Sequence, residues 1–208
     1  MARSARSRAP RSADLFQRVD RLARNLWWIW KPEARRVFES LDPVMWRATN
    51  HNPIATLHAL SPTRRESVEG DISFKSDLDA AEKALGKYLK TKTWYERTAK
   101  GRQRSMRVAY FCMEYGLHES MPLYAGGLGI LAADHVKSAS DLGIPLTAIG
   151  ILWRKGYYRQ ELRQDGTVRI VYPTTDFNEI PVEDLKKTIT VPIGASRVKA
   201  KLWSLTVG

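Results

Sequence analysis

At 208 residues the chain has length for one large domain or two small ones, and 43% hydrophobic residues is an ordinary globular composition. No apolar stretch reaches the length of a membrane-spanning helix, and the single cysteine, Cys112, excludes an internal disulfide and fits a reducing compartment. The formal net charge of +12 points toward anionic partners, but Arg3, Arg6, Arg8 and Arg11 supply +4 of it within residues 1–12, with no acid among them. Residues 1–12, MARSARSRAPRS, read as a disordered basic tail without the apolar core of a secretory signal. No nucleic-acid reading motif accompanies the charge, so no nucleic-acid partner is expected.

Residues 13–100 read as a mostly helical domain. From Ala13 to Trp30 the apolar positions Leu15, Val19, Leu22, Leu26 and Ile29 step along one helix face, with Asp14 as a cap. Trp27, Trp28 and Trp30 cluster ahead of Pro32. Three indoles within four residues cannot share a helix face, which favours packing in a core over a platform for sugar rings. Pro32, Pro43 and Pro53 punctuate short helices. Residues 71–100 are helical again, with Leu78, Ala81, Leu85, Tyr88 and Leu89 at helical spacing and Asp71 or Ser73 as caps. His51 and His58 have no cysteine or carboxylate cluster at ligand spacing, so no metal is expected. Thr98–Ser105 reads as a linker.

Residues 105–208 change character. Val108-Ala109-Tyr110-Phe111 has the length and type of a buried strand. After a loop comes Gly126-Gly127-Leu128-Gly129. Leu128, Leu131, Ala132, His135, Val136, Ala139 and Leu142 then mark one helix face, with Gly129 at its start, Gly143 at its C-terminal end and Pro145 beyond. Leu146–Trp153 reads as the next strand, giving a β-loop-α-β unit. Glycines at a helix start let backbone approach a ligand, and the unpaired first amides suit a phosphate or sugar hydroxyls. A turn needed only for chain geometry is the alternative, because G-G-L-G is neither G-x-G-x-x-G nor a P-loop. His135 reads as a satisfied core histidine and Cys112 as an inert buried thiol, while His118, in the loop before the glycines, is a candidate to line a cleft. Asp165-Gly166 marks one hairpin, and Ile189, Val191 and Ile193 before Gly194-Ala195-Ser196 mark another. The chain stops at Thr206-Val207-Gly208 inside what reads as a strand, as expected of the front of a longer protein.

The ordered series Tyr110-Phe111-Cys112-Met113-Glu114-Tyr115-Gly116, Glu119-Ser120, Leu123 through Ala132 and Asp134 through Gly143 resembles the α-glucan (glycogen, maltodextrin, starch) phosphorylase family. The likeness is to its shorter bacterial and archaeal branch and covers roughly residues 105–208; the tryptophan-rich segment before it looks like that branch's own N-terminal extension. The resemblance implies an α/β fold: the N-terminal part of a two-domain Rossmann-like, GT-B type glycosyltransferase, preceded by a small mostly helical domain. Residues 105–208 would be the truncated start of its N-terminal Rossmann-like domain. It implies phosphorolysis of terminal α-1,4-linked glucose to glucose 1-phosphate, in cytoplasmic glycogen degradation. Pyridoxal phosphate would be held by a lysine in the C-terminal half, outside this chain. α-Glucan and inorganic phosphate are the implied partners, no membrane is, and a homodimer is an arrangement common in the family.

By the same resemblance Gly126 and Gly127 match glycines whose backbone approaches the substrate and cofactor phosphates. Leu128 matches a residue whose backbone lies against the glucose, and Gly129 starts the helix. Glu114 falls at a strand's carboxyl end, where ligands gather in open α/β sheets. Arg154, with Lys155, follows the second strand; both differ from the residues longer family members carry there, so position alone makes them candidates to touch phosphate or glucan. No residue of the fragment is assigned a catalytic role, and the fragment alone is expected to be inactive. A nucleotide-sugar-dependent glucan synthase resembles K-T-G-G-L-G-D, whereas Tyr124-Ala125 and Ile130 flank the turn here. A non-catalytic glucan-binding module would bind glucan through the tryptophans of residues 13–100 alone.

Overall fold

The computed structural model describes residues 12–121 and 126–208, with side chains described from Leu15 onward. The basic tail up to Arg11, and Tyr124-Ala125, lie outside the described residues. Helix α1 runs Ser12–Ala23, so Asp14 lies inside the helix and not at its cap. The helix expected to reach Trp30 breaks at Asn25, whose side chain accepts from Trp27 N at 3.0 Å and starts a 3-10 turn, Leu26–Trp30. The tighter winding sends adjacent indoles in different directions. Trp27 and Trp28 are both buried, and half-buried Trp30 donates through Nε1 to Asp141 Oδ1 at 3.3 Å.

Helices α2 (Pro32–Leu41), α3 (Pro43–Ala48), α4 (Pro53–His58) and α5 (Pro62–Gly70) each open on a proline. That position suits proline, because the N–H it lacks has no partner within the helix. Asp42, Asn52 and Ser61 cap three of them through their side chains. Helix α6 (Ile72–Lys90) is capped by Asp71, which accepts from Phe74 N at 3.0 Å, so Ser73 lies inside it. The helical stretch read to residue 100 is interrupted at Thr91 and resumes as α7 (Trp94–Thr98) behind a Thr93/Glu96 capping box.

The amphipathic faces of these helices meet in one core: Leu15, Val19 and Leu22 of α1, Val37, Phe38 and Leu41 of α2, Ile54, Phe74, Leu78 and Trp28. Each fully buried aliphatic or phenyl side chain there stabilises by about 1.5–3 kcal/mol. Trp28 packs edge-on against Phe38 at 5.2 Å and Trp46 at 6.2 Å between ring centroids. Arg18 ties α1 to α6 by donating to Glu82, Nε to Oε2 3.1 Å, and to Asp79. The same core takes in Leu117 and Ala133, from the following α/β part.

Strands β1 (Val108–Phe111) and β2 (Leu146–Ile149) pair in parallel, Val108 with Leu146 through Phe111 with Ile149, and are joined through α8 (Gly127–Leu142). β2 stops at Ile149, short of Trp153. β1 is not the buried strand its composition suggests: Phe111 is 72% exposed, because among the described residues nothing covers that face of a two-stranded sheet. The buried face of α8 also differs from the one read by spacing. Gly129, Ala132, Ala133, Val136 and Ala139 face inward, while Leu128 at 57% and Leu131 at 66% exposure point out. Small side chains let the helix approach the helical layer closely, and Ala133 enters its core. His135 is exposed and not a core residue, its ring 4.9 Å from that of Tyr110. Gly143 ends the helix at φ 69, with Gly143 N on Ser140 O and Ile144 N on Ala139 O, as its position suggested.

Two antiparallel hairpins follow. β3 (Arg159–Leu162) and β4 (Val168–Val171) turn at Asp165-Gly166, where Asp165 Oδ1 accepts from Thr167 N at 2.9 Å. β5 (Glu183–Ile193) and β6 (Ser196–Ser204) turn at Gly194-Ala195, with Ile189 opposite Ala200 and Val191 opposite Val198. Residues 205–208 then return to the helical layer: Leu26 N donates to Thr206 O at 2.9 Å and Gly208 N to Asn25 Oδ1 at 2.9 Å. The whole is a mixed α/β structure in which a helical layer backs one β-loop-α-β unit.

Candidate functional site: a glycine turn at the start of a helix

Gly126 caps α8 with φ −94 and ψ −155 and, having no side chain, leaves the helix end without a side-chain cap. Gly129 N bonds to Gly126 O at 3.2 Å. The N–H groups of Gly127 and Leu128 belong to the first turn, where a helix supplies no acceptor. The aligned peptide dipoles of the 16-residue α8 place roughly half a positive charge at this end. A methyl group built on Gly126 or Gly127 would meet none of the described residues within 4 Å, and neither residue has a positive φ. Packing and backbone strain therefore do not require glycine at either position. What both glycines do is leave the helix start bare, which suits close approach by an oxygen-rich ligand. Leu128 adds an exposed side chain, so it is not a core residue. Gly129 is the buried member and lies inside the first turn, since the helix begins at Gly127.

Two other glycines show the opposite logic. A Cβ on Gly116 would lie 3.0 Å from the Gly129 carbonyl carbon, and its N–H donates to Gly129 O at 2.8 Å. A Cβ on Gly150 would lie 2.8 Å from Tyr115 Cε2 and 2.9 Å from Cys112 O. Both are held glycine by packing. They join the loop after β1 to α8 and to the end of β2. The sequence assigns neither a packing role, although Gly150, directly after the end of β2, was an available signal. Tyr115 completes this joint: its hydroxyl donates to Tyr110 O at 2.6 Å, and burial pushes its ionisation up.

Glu114 is half-buried in the same loop, and its carbonyl accepts from Cys112 Sγ at 3.1 Å. His118 lies two residues beyond Gly116 and faces the helical layer, its ring 4.8 Å from that of Trp28. Its Nδ1 accepts from Ser120 N at 3.2 Å, which leaves the proton of the neutral ring on Nε2. Burial lowers its pKa to about 4; nearby His51, Lys137 and Arg35 push the same way and Glu119 opposes them. The imidazole is therefore neutral near pH 7. Arg154 is exposed and sits over the Phe177 ring, 5.9 Å from its centre, with its carbonyl accepting from Thr175 N. Thus Gly116 links the loop that carries Glu114 and His118 to Gly129, His118 itself turns to the helical layer, and Arg154 has its neighbours on another segment. Among the described residues no group of His, Cys, Asp and Glu is arranged to hold a metal ion, and no helix is long and apolar enough to cross a membrane.

A helical layer carrying a β-loop-α-β unit with a bare glycine turn defines this as a mixed α/β protein with an open helix start. The chain belongs to the family described as "Protein of unknown function (DUF3417)", which matches residues 13–121. It is also similar to glycogen phosphorylase of Mycobacterium tuberculosis (strain CDC 1551 / Oshkosh), 37% identical over 201 residues, which is 91% of this chain and 23% of that protein. Maltodextrin phosphorylase of Thermococcus litoralis is 37% identical over 194 residues, 90% of this chain and 23% of that one. Glycogen phosphorylase of Aquifex aeolicus is 38% identical over 145 residues, 70% of this chain and 20% of that one. The chain thus spans under a quarter of the length of these relatives. No solved structure matches it.

Proposed function

We propose that the chain forms part of an α-glucan phosphorylase, which moves a terminal α-1,4-linked glucose onto inorganic phosphate and releases glucose 1-phosphate. In this reading the β1–α8–β2 unit belongs to the first of two Rossmann-like domains of a GT-B type enzyme, and the glycine turn forms one wall of the cleft between them. A cytoplasmic location and a homodimer go with the same reading.

One observation carries it. Among the described residues, neither packing nor backbone demands glycine at Gly126 or Gly127, and both are exposed at the helix start. The first amides there can bond phosphate oxygens or glucose hydroxyls with no Cβ in the way, and the helix dipole favours the anion. The same donor set suits the phosphate of pyridoxal phosphate; Gly126 and Gly127 would lie along it, and a lysine of the remaining polypeptide would hold the cofactor. When bound, that group supplies a phosphate acting as acid/base and electrostatic partner to inorganic phosphate. The role of Gly127 and Leu128 is to orient and electrostatically stabilise the phosphate and the sugar at the point where charge develops. Buried Trp27, Trp28 and Trp46 offer no sugar platform, which weighs against a glucan-binding module.

The test is glucose 1-phosphate release from maltodextrin and inorganic phosphate by the full-length polypeptide, with the 208-residue chain as an inert blank. Gly127→Ala is expected to lower kcat/KM for phosphate by about tenfold or more while leaving the fold intact. Unchanged kinetics in Gly127→Ala, or no phosphorolysis by the full-length polypeptide, would overturn the reading.

A further inference from the structure

Leu117, His118 and Glu119, in the loop after β1, are held one after another by the helical layer and form a clip on it. Leu117 is buried in the core that contains Trp28, Phe38 and Ala133. The His118 ring lies edge-on to Trp28 at 4.8 Å. The Glu119 carboxylate bonds His51 Nδ1. Trp46 closes the circuit, 6.2 Å from Trp28 and 5.2 Å from the His51 ring. Within the segment, Ser120 N donates to His118 Nδ1 at 3.2 Å and Met121 N to His118 O at 3.0 Å, so the backbone folds around the imidazole. On the other side, Gly116 N donates to Gly129 O at 2.8 Å, the contact in which a Cβ would not fit without movement. Helical layer, clip and first turn of α8 therefore form one continuous train of contacts. Residues 13–121, the extent of the family match, contain both the helical layer and the clip.

We propose that the helical layer is a positioning domain for the glycine turn, and that His118 is its principal positioning residue, with Glu119 and His51 as the outer latch. Trp28 and Trp46 form the seat. A turn that presents backbone amides to a ligand gains its affinity from being held in place before the ligand arrives, and misplacement of about 1 Å is costly. The indoles of this layer thus act on the site through His118 and touch no ligand. The purpose of the device rests on the function proposed above; the way the turn is held does not, and its test contains no ligand.

The test is hydrogen exchange of the Gly116 and Gly129 amides in the 208-residue chain, on the joint that His118 is held to support. His118→Ala is expected to speed exchange at both by about tenfold or more, with the amides of α2 and α6 unchanged. His118→Phe, which keeps a ring against Trp28, and His118→Asn, which keeps an acceptor for Ser120 N–H, should each recover part of the protection. Glu119→Gln, at an exposed site, should give a smaller increase confined to the same amides. Unaltered exchange at Gly116 and Gly129, or a rise spread evenly over α1–α6 with no recovery by Phe or Asn, would overturn the proposal. If His118→Ala does not fold, Glu119→Gln decides: no change at those two amides counts against it. A failure of the phosphorolysis assay alone would leave this result untouched and would remove only the ligand.

Discussion

Glycines in this molecule do two separate jobs, and single substitutions separate them. At Gly150 an added methyl meets a ring carbon and a carbonyl that cannot both move away. Gly150→Ala is expected to destabilise by about 1–3 kcal/mol. Gly127→Ala meets open space and should change stability by less than about 1 kcal/mol, the small gain or loss coming from backbone entropy. Urea denaturation of the two variants checks the contrast, and equal losses would contradict it. His118 gives a second residue-scale prediction. Its folded pKa of about 4 lies below the ordinary 6.5, so as pH falls the unfolded chain takes up the proton first. The stabilisation is complete above about pH 6.5 and is lost as pH falls toward 4. The half-buried ring limits the loss to about 2 kcal/mol. His118→Phe should flatten that part of the stability-versus-pH curve; an identical slope in wild type and variant would count against it.

At the scale of elements, most start signals and the buried face of α1 were legible, and the face of α8 was legible only in part. Proline and Asp71 marked helix starts because each acts within a few residues of itself, through a missing donor or a local acceptor. Gly143 and the turns at Asp165-Gly166 and Gly194-Ala195 were readable for the same reason. On α8 the expected Ala132, Val136 and Ala139 are buried, but Leu128, Leu131, His135 and Leu142 are exposed and Gly129 and Ala133 are buried in their stead. Burial went to the small ones, since close approach to another helix, which spacing does not encode, decided the matter. The break at Asn25 was missed likewise, because its partners at residues 206 and 208 lie far along the chain. Of the candidate site, the glycine turn was legible as a motif; the clip was not, because His118, Trp28 and His51 meet only after folding. Asn52 shows how such joints differ from plain caps. It accepts from Ile54 N at 3.0 Å and Ala55 N at 3.1 Å, and donates to Glu179 O at 2.7 Å, while buried. Asn52→Ala is expected to cost about 2–3 kcal/mol against about 1 kcal/mol for the exposed cap in Asp71→Ala. Thermal or urea midpoints rank the two, and the reverse order would refute the comparison.

Across the whole molecule, a core running from Leu15 to Ala133 makes the helical layer and the β1–α8 unit mechanically continuous. Loss of tryptophan burial and loss of helical circular dichroism should therefore coincide in one transition. Two separated transitions would show the layer to be an independent unit. The pairing of Asn25 and Leu26 with residues 206–208 has a further consequence, for the order of events during synthesis. Helices α1–α6 pack chiefly on one another, α2 on α6 and α1 on α4, and can assemble once residues up to Lys90 have left the ribosome. The Leu26 amide, on a fully buried residue, must wait for an acceptor that is translated some 180 residues later. Until then the 3-10 turn holding the indoles is an unfinished joint with a thirsty amide at its centre. Nascent chains stalled before Thr206 should be good clients for chaperones that recognise exposed tryptophan, and release of the last strand should end that interest.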